Sequence, residues 1–194
     1  METADIQLNP TVEKSFEKQL FSTPIYTFID KEIKDIKEDF FKLTQDRLSE
    51  NRTIDIINED HPAIEHIRNT VFAVANQLPE FSGDKVPVII GSNLMFQQLQ
   101  DHIPIHAYEH IPLVFSFILS ADDYTPRTYF ADPRGGVQTM NRNRIQFGIV
   151  ETSFVIIASE GEINVTPGYL QRYTETNLSK GAYVTLDVLV GFNS

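Results

Sequence analysis

Apolar positions in the first third of the chain recur at helical spacing. Ile33, Ile36, Phe40 and Leu43 step by three and four residues, so on a helix they form one stripe. Asp30 stands where an N-cap would. A second stripe, Ile64, Ile67, Val71, Val74 and Leu78, predicts a helix from about residue 62 to 78. Pro62 suits its first turn, preceded by Asp60 or His61, and Pro79 and Gly83 stop it. Ahead of both, Leu20 to Phe28 reads as a short extended segment whose Pro24 suits an edge or a bend.

From Val86 onward the pattern changes to short runs rich in Val, Ile, Phe, Tyr and Thr. Candidate strands are 86–90, 93–99, 104–108, 112–119, 126–131, 144–150, 152–158, 162–166, 169–174 and 182–191. Glycine marks the same boundary, since all nine lie at or after Gly83, where sheets need tight turns. Two helices leading into about eight to ten strands predict a mainly β chain of the α+β class, a jelly roll with the helices packed on one sheet. Residues 1–19 are expected to be a polar N-terminal arm. Residues 20–194 are expected to be a single domain, helical over about 30–80 and β over about 86–193.

Charge and composition narrow the chemistry. The 16 Lys and Arg against 27 Asp and Glu leave a net charge of −11. Nucleic acid and anionic membrane are disfavoured as partners, because both need a cationic footprint. There is no cysteine, which removes disulfides, thiolate metal sites and cysteine nucleophiles. No segment approaches the ~18 apolar residues of a membrane helix. Met1 to Pro10 is polar and acidic, unlike a signal peptide, so retention in the cytoplasm where the chain is made is expected.

Three histidines, His102, His106 and His110, invite a metal reading. Four residues of straight strand span about 13 Å, too far for one ion, and Pro104 disfavours a helix. Two of them share an ion only if the chain turns between them. Asp122 and Asp123 read as turn residues. Ser116 lies in an apolar strand without a glycine elbow, so no hydrolase triad is indicated.

Three segments together resemble the Fe(II)- and 2-oxoglutarate-dependent oxygenases, including those of tailed phages. Leu20 to Tyr26, LFSTPIY, is similar to the opening strand of the phage-type members. QLQDHIPIHAYEHIPLVFSFILSADDY is similar to the strand bearing the first iron ligands and the strand after it. EGEINVTPGYLQRYTETNLSKGAYVTLDVLVGF is similar to the late strands that carry the last ligand. The resemblance implies a double-stranded β-helix, a His-x-Asp pair, a distant second His, and a downstream Arg or Lys for the co-substrate carboxylate.

The chain departs from that set at each position. With His106 as first ligand, Tyr108 takes the carboxylate position; a pair shifted to end at His110 begins with Tyr108. The second His falls near Gln171 or Arg172, and the basic residue near Ala182 or Asp187. An arginine has no lone pair to give a metal, and an Asp repels a dicarboxylate. Arg172 and Asp187 are therefore expected to face each other as an ion pair, with the fold kept and the iron chemistry lost.

On this reading the chain binds no cofactor and works in an assembly with other protein subunits, as a homo- or hetero-oligomer, with a phage virion as one setting. Two other readings stand beside it. One is an active oxygenase that holds Fe(II) through His106, Glu109 and His110, with Arg127, Arg134 or Arg144 as the cation for 2-oxoglutarate. The other is a small-molecule or sugar binder that stacks its ligand on Tyr108, Tyr129, Tyr169 and Tyr173.

Overall fold

The computed structural model of the chain describes residues 12–20, 23–48, 53–131 and 153–193. The strands are β1 (Val12–Leu20), β2 (Thr23–Asp30), β3 (Thr53–Ile54), β4 (Val86–Gln97), β5 (Leu113–Ser120), β6 (Thr128–Ala131), β7 (Ser153–Ile156), β8 (Glu162–Pro167), β9 (Gln171–Thr174) and β10 (Tyr183–Asn193). The helices are α1 (Ile33–Leu48) and α2 (Pro62–Ala75). A seven-stranded sheet has the order β1-β2-β8-β5-β10-β4-β3, and a three-stranded sheet the order β7-β6-β9. The long jumps in strand order are those of a jelly roll, in which neighbours in space are distant in sequence.

Both apolar stripes do what their spacing predicts. Ile33 and Phe40 of α1 and Ile64, Ile67, Val71 and Val74 of α2 are buried in one cluster with Phe28, Phe115, Phe117, Ile163, Leu186 and Val188 of the large sheet. The helices thus cover one face of that sheet, leaving the other for the small sheet. Helix α2 is capped by His61, whose Nδ1 accepts the Ala63 N–H at 3.2 Å. It ends at Ala75 rather than Leu78, although Leu78 still packs in the core.

Several boundaries differ from expectation. Residues 12–19, assigned to the arm, pair with β2 as the edge strand β1. The strands expected at 86–90 and 93–99 are one strand, because Gly91 stays in the ladder opposite Leu189, beside a register shift. The strand expected at 104–108 is a strap that makes a single bridge, His106 to Arg172. The expected strand at 144–150, together with Arg134, Arg144 and residues 1–11, lies outside the described residues.

Asp30 works differently from the cap its position suggests. It ends β2, where it is buried, and its Oδ1 accepts the Glu32 N–H ahead of the helix at 3.0 Å. Its Oδ2 lies 2.7 Å from His66 Nε2 on α2, and Thr70 Oγ1 donates to it at 3.3 Å. His66 Nδ1 lies 3.2 Å from Glu32 Oε2. Both ring nitrogens face carboxylates, and only the imidazolium can donate from both. The bond to Asp30 chiefly raises the His66 pKa; burial opposes it, and the Asp30 and Glu32 charges add to it.

Two outcomes are expected. His66 has a folded pKa above its unfolded value of about 6.5, so its stabilisation is complete below that pH and is lost as pH rises through the folded pKa. Urea unfolding of the wild type and His66→Gln should show a stability gap that shrinks from acidic to alkaline pH; a gap constant with pH would contradict this. Gly168 is the second case: a Cβ there would lie 2.1 Å from the Ile111 carbonyl oxygen and 2.5 Å from that of Tyr108. Gly168→Ala must push the strap away from the end of β8, and a loss of about 2–4 kcal/mol in denaturant unfolding is expected.

Candidate functional site

Five strands of the large sheet are largely apolar and each carries a polar residue near its middle. The register brings those residues into line. Asn93 pairs with Asp187, Asp187 with Ser116, Ser116 with Asn164, and Asn164 with Thr27. The row crosses β4, β10, β5, β8 and β2 on the face turned away from the helices. Thr27, Ser116, Asn164 and Asp187 are all buried. Side chains at this depth need partners, and Thr27 Oγ1 donates to Asn164 Oδ1 at 2.8 Å.

Asp187 is the demanding member, a carboxylate with 0% exposure. Arg172 meets it from β9 of the opposing sheet. Its Nη1 donates to Asp187 Oδ1 at 2.9 Å and its Nη2 pairs with Asp187 Oδ2. The contact is bidentate, the geometry that guanidinium and carboxylate planes favour. Ser116 Oγ donates to Asp187 Oδ1 at 2.8 Å and accepts from Arg172 Nη1 at 2.7 Å. Tyr108 donates its hydroxyl proton to Asp187 Oδ2 at 3.0 Å and accepts from Asn93 Nδ2 at 2.9 Å. The Arg172 guanidinium also lies 5.1 Å from the Tyr108 ring centre.

The Nε donor goes to the strap. Arg172 Nε donates to His106 Nε2 at 2.9 Å, and His106 Nδ1 faces the Pro104 carbonyl at 2.9 Å. His106 is therefore the neutral tautomer with its proton on Nδ1. Burial and the Arg172 charge hold its pKa below the usual histidine range, against the pull of the Pro104 carbonyl. Burial also pulls Arg172 down from its ordinary value, but an arginine starts so far above neutrality that it stays charged. The expected Arg172–Asp187 ion pair is thus present, joined at its ends by His106, Tyr108 and Ser116.

The other candidates lie elsewhere. Glu109 and His110 are exposed in the turn closed by the Ile111 N–H and the Tyr108 carbonyl. Among the described residues no group of three His, Cys, Asp or Glu side chains could hold a metal ion, so His106, Glu109 and His110 do not form one. Gln171 points away from Asp187, and Ala182 precedes β10. Arg127 is exposed on the outer side of the small sheet. The four tyrosines do not share a site: Tyr108 is in the network, Tyr169 bonds Thr23, and Tyr129 stacks on Tyr173 outside. Ser116, Asn93 and Asn164 were not singled out as site residues; the signal was a lone polar residue inside each apolar strand.

A cavity of about 30 Å³ lies beside the ion pair, lined by Met95, Ile103, Phe130, Ile156, Tyr183 and Thr185 among others. Burial pushes the Tyr183 phenol up to about 12, so this wall is neutral.

No protein-family model matches the chain, and no curated protein matches it in sequence. Solved structures do match in fold. The apo form of EctD from S. alaskensis superposes with a TM-score of 0.63 at 12% identity, over 87% of this chain and 73% of that one. HygX from Streptomyces hygroscopicus, solved with nickel and 2-oxoglutarate bound, gives 0.60 at 12% identity, over 87% and 82%. SnoK, a non-haem α-ketoglutarate-dependent carbocyclase from nogalamycin biosynthesis, gives 0.58 at 8% identity, over 86% and 78%. The architecture is therefore the double-stranded β-helix of the Fe(II)/2-oxoglutarate oxygenases, carried by a sequence far from theirs.

That fold implies Fe(II) and 2-oxoglutarate, and the residues present do not fit either. The His106 Nε2 lone pair is taken by the Arg172 N–H. The position expected for a second imidazole carries a fixed cation, and Tyr108 stands at the carboxylate position with its phenol bound to Asp187. The cavity has room for about two or three waters, less than a five-carbon dicarboxylate fills.

Removing one partner of a buried pair strands the other charge. Arg172→Ala is expected to cost about 3–5 kcal/mol in urea unfolding. The double change Arg172→Met with Asp187→Leu should cost less than Arg172→Ala alone; simple addition of two large losses would show that the two groups are not coupled.

Proposed function

We propose that this chain is a non-catalytic double-stranded β-helix that serves as a structural or protein-interaction component. One observation carries the reading: the guanidinium of Arg172 and the carboxylate of Asp187 satisfy each other at the two positions where the oxygenase pattern needs a metal ligand and a cation. A site whose charges are already paired has no net attraction for a dication or a dicarboxylate. Its hydrogen bonds tie the two sheets and the strap together, which suits a rigid scaffold. The setting we propose is a tailed-phage virion, on the likeness of Leu20 to Tyr26 to the opening strand of phage-type members. A protein recovered only free in lysate and never in purified particles would overturn that setting.

The lost chemistry has a direct test. Purified protein is mixed anaerobically with Fe(II) and 2-oxoglutarate, and the visible spectrum is read for the metal-to-ligand charge-transfer band of the chelate. No band and no bound iron are expected. A band with one iron per chain would overturn the non-catalytic reading.

A further inference from the structure

The outer face of the small sheet has the composition of an inner one. Tyr129 on β6 pairs with Val155 on β7 and with Tyr173 on β9. Residue 105 precedes the His106–Arg172 bridge on the strap and residue 173 follows it on β9, so Ile105 lies opposite Tyr173. Across four chain segments the row reads Val155, Tyr129, Tyr173, Ile105. Val155 and Ile105 are 38% and 59% exposed, and Ile157, just past β7, is 70% exposed. The two tyrosine rings stack on each other, 4.9 Å apart and 5° from parallel. Their neighbours on the opposite face, Phe130, Ile156 and Arg172, are buried between the sheets.

Two residues along from this row, on one side of it, lie the exposed Arg127 and Glu175, joined by the Glu175 N–H to Arg127 carbonyl bond of 3.1 Å. The Tyr129 hydroxyl donates to Glu175 Oε1 at 2.5 Å and fixes that carboxylate at the edge of the row.

This arrangement is its own complement. A two-fold axis running along the strands, in the plane above the sheet and between β6 and β9, exchanges left and right. It lays Tyr129 of one copy over Tyr173 of the other, and Val155 over Ile105. The same rotation lays Arg127 over Glu175 twice. The strands of the two copies stay aligned, as in face-to-face sheet packing, and each residue's contact is returned by its partner, as an isologous interface requires.

We propose that this face docks a second copy of the chain. The inference rests on the interaction reading above and gives it a surface and a partner. The described face measures about 15–20 Å by about 13 Å from strand spacing and rise. That is well under the ~800 Å² per partner of a standard interface, so the dimer is weak and forms with rising concentration. Each copy carries a net charge of −11, so moderate salt, which screens that repulsion, favours it.

The test uses sedimentation velocity on the full chain and two charge variants. Wild type is expected to shift from monomer to dimer with concentration, and Ile105→Lys, a change at an exposed position, to stay monomeric. Arg127→Glu alone places two carboxylates at each crossing, and Glu175→Arg alone places two guanidiniums; each is expected to lose association. An equimolar mixture of the two variants restores both opposite-charge crossings in the heterodimer and is expected to associate. A repair of charge within one chain cannot produce that result. Wild type that remains monomeric up to its solubility limit overturns the inference, as do single variants that dimerise like wild type or a mixture that fails to associate. The non-catalytic reading is decided separately, by the charge-transfer band.

Discussion

Asp187 is a carboxylate with no access to water, near the middle of β10, an interior strand of the large sheet, and the rest of the site follows from that constraint. A lone charge there is too costly to keep, so the opposing sheet must supply a cation. Arg172 does so, and it is on a strand of only four residues. The pair therefore sets the spacing of the two sheets at that point. Ser116 and Tyr108 use the remaining carboxylate lone pairs, and His106 takes the Arg172 Nε proton. Each group is satisfied only when the strap, β5, β9 and β10 are all in place.

The same network explains why these positions gather no iron site among the described residues. A metal centre of this architecture needs free lone pairs converging on one point and an open route for a co-substrate. Here the converging atoms are already donors and acceptors of one another. The positive charge belongs to the chain, and His106 is kept neutral by it. Buried ion pairs contribute little net stability but strongly penalise loss of one partner. The arrangement therefore gives specificity of sheet docking more than raw stability. The His66 cluster at the other end of β2 works in the opposite electrostatic sense, with two acids holding one imidazolium.

Local pattern made much of the fold readable. The stripes of α1 and α2 come from residues a few positions apart, and their spacing reports the buried face directly. Most of the described strands from Val86 onward were readable for the same reason, the strap at 104–108 being an exception. Register was not. The break expected between residues 90 and 93 lies inside one strand, and residues 12–19, expected in a polar arm, form an edge strand. Both depend on what lies alongside in space. The Arg172–Asp187 pair was readable only because a family pattern marked both positions. Ser116, Asn93 and Asn164 were visible as odd polar residues in apolar strands, but nothing local said that they share a row.

By itself, then, the sequence determined two amphipathic helices, a β-rich remainder, an acidic chain without thiols, and a charge reversal at two marked positions. Helical and strand periodicity act over a few residues, so they are written locally. The tertiary structure decided which strands are neighbours, and with that the alignment of five polar residues into one row, the pairing of Arg172 with Asp187 across the sheets, and the apolar row outside β6 and β9. Those features join residues 15 to more than 130 positions apart. Only strand pairing within the large sheet, for Thr27 and Asn164, and closure of the two sheets, for Arg172 and Asp187, bring such residues within hydrogen-bond range.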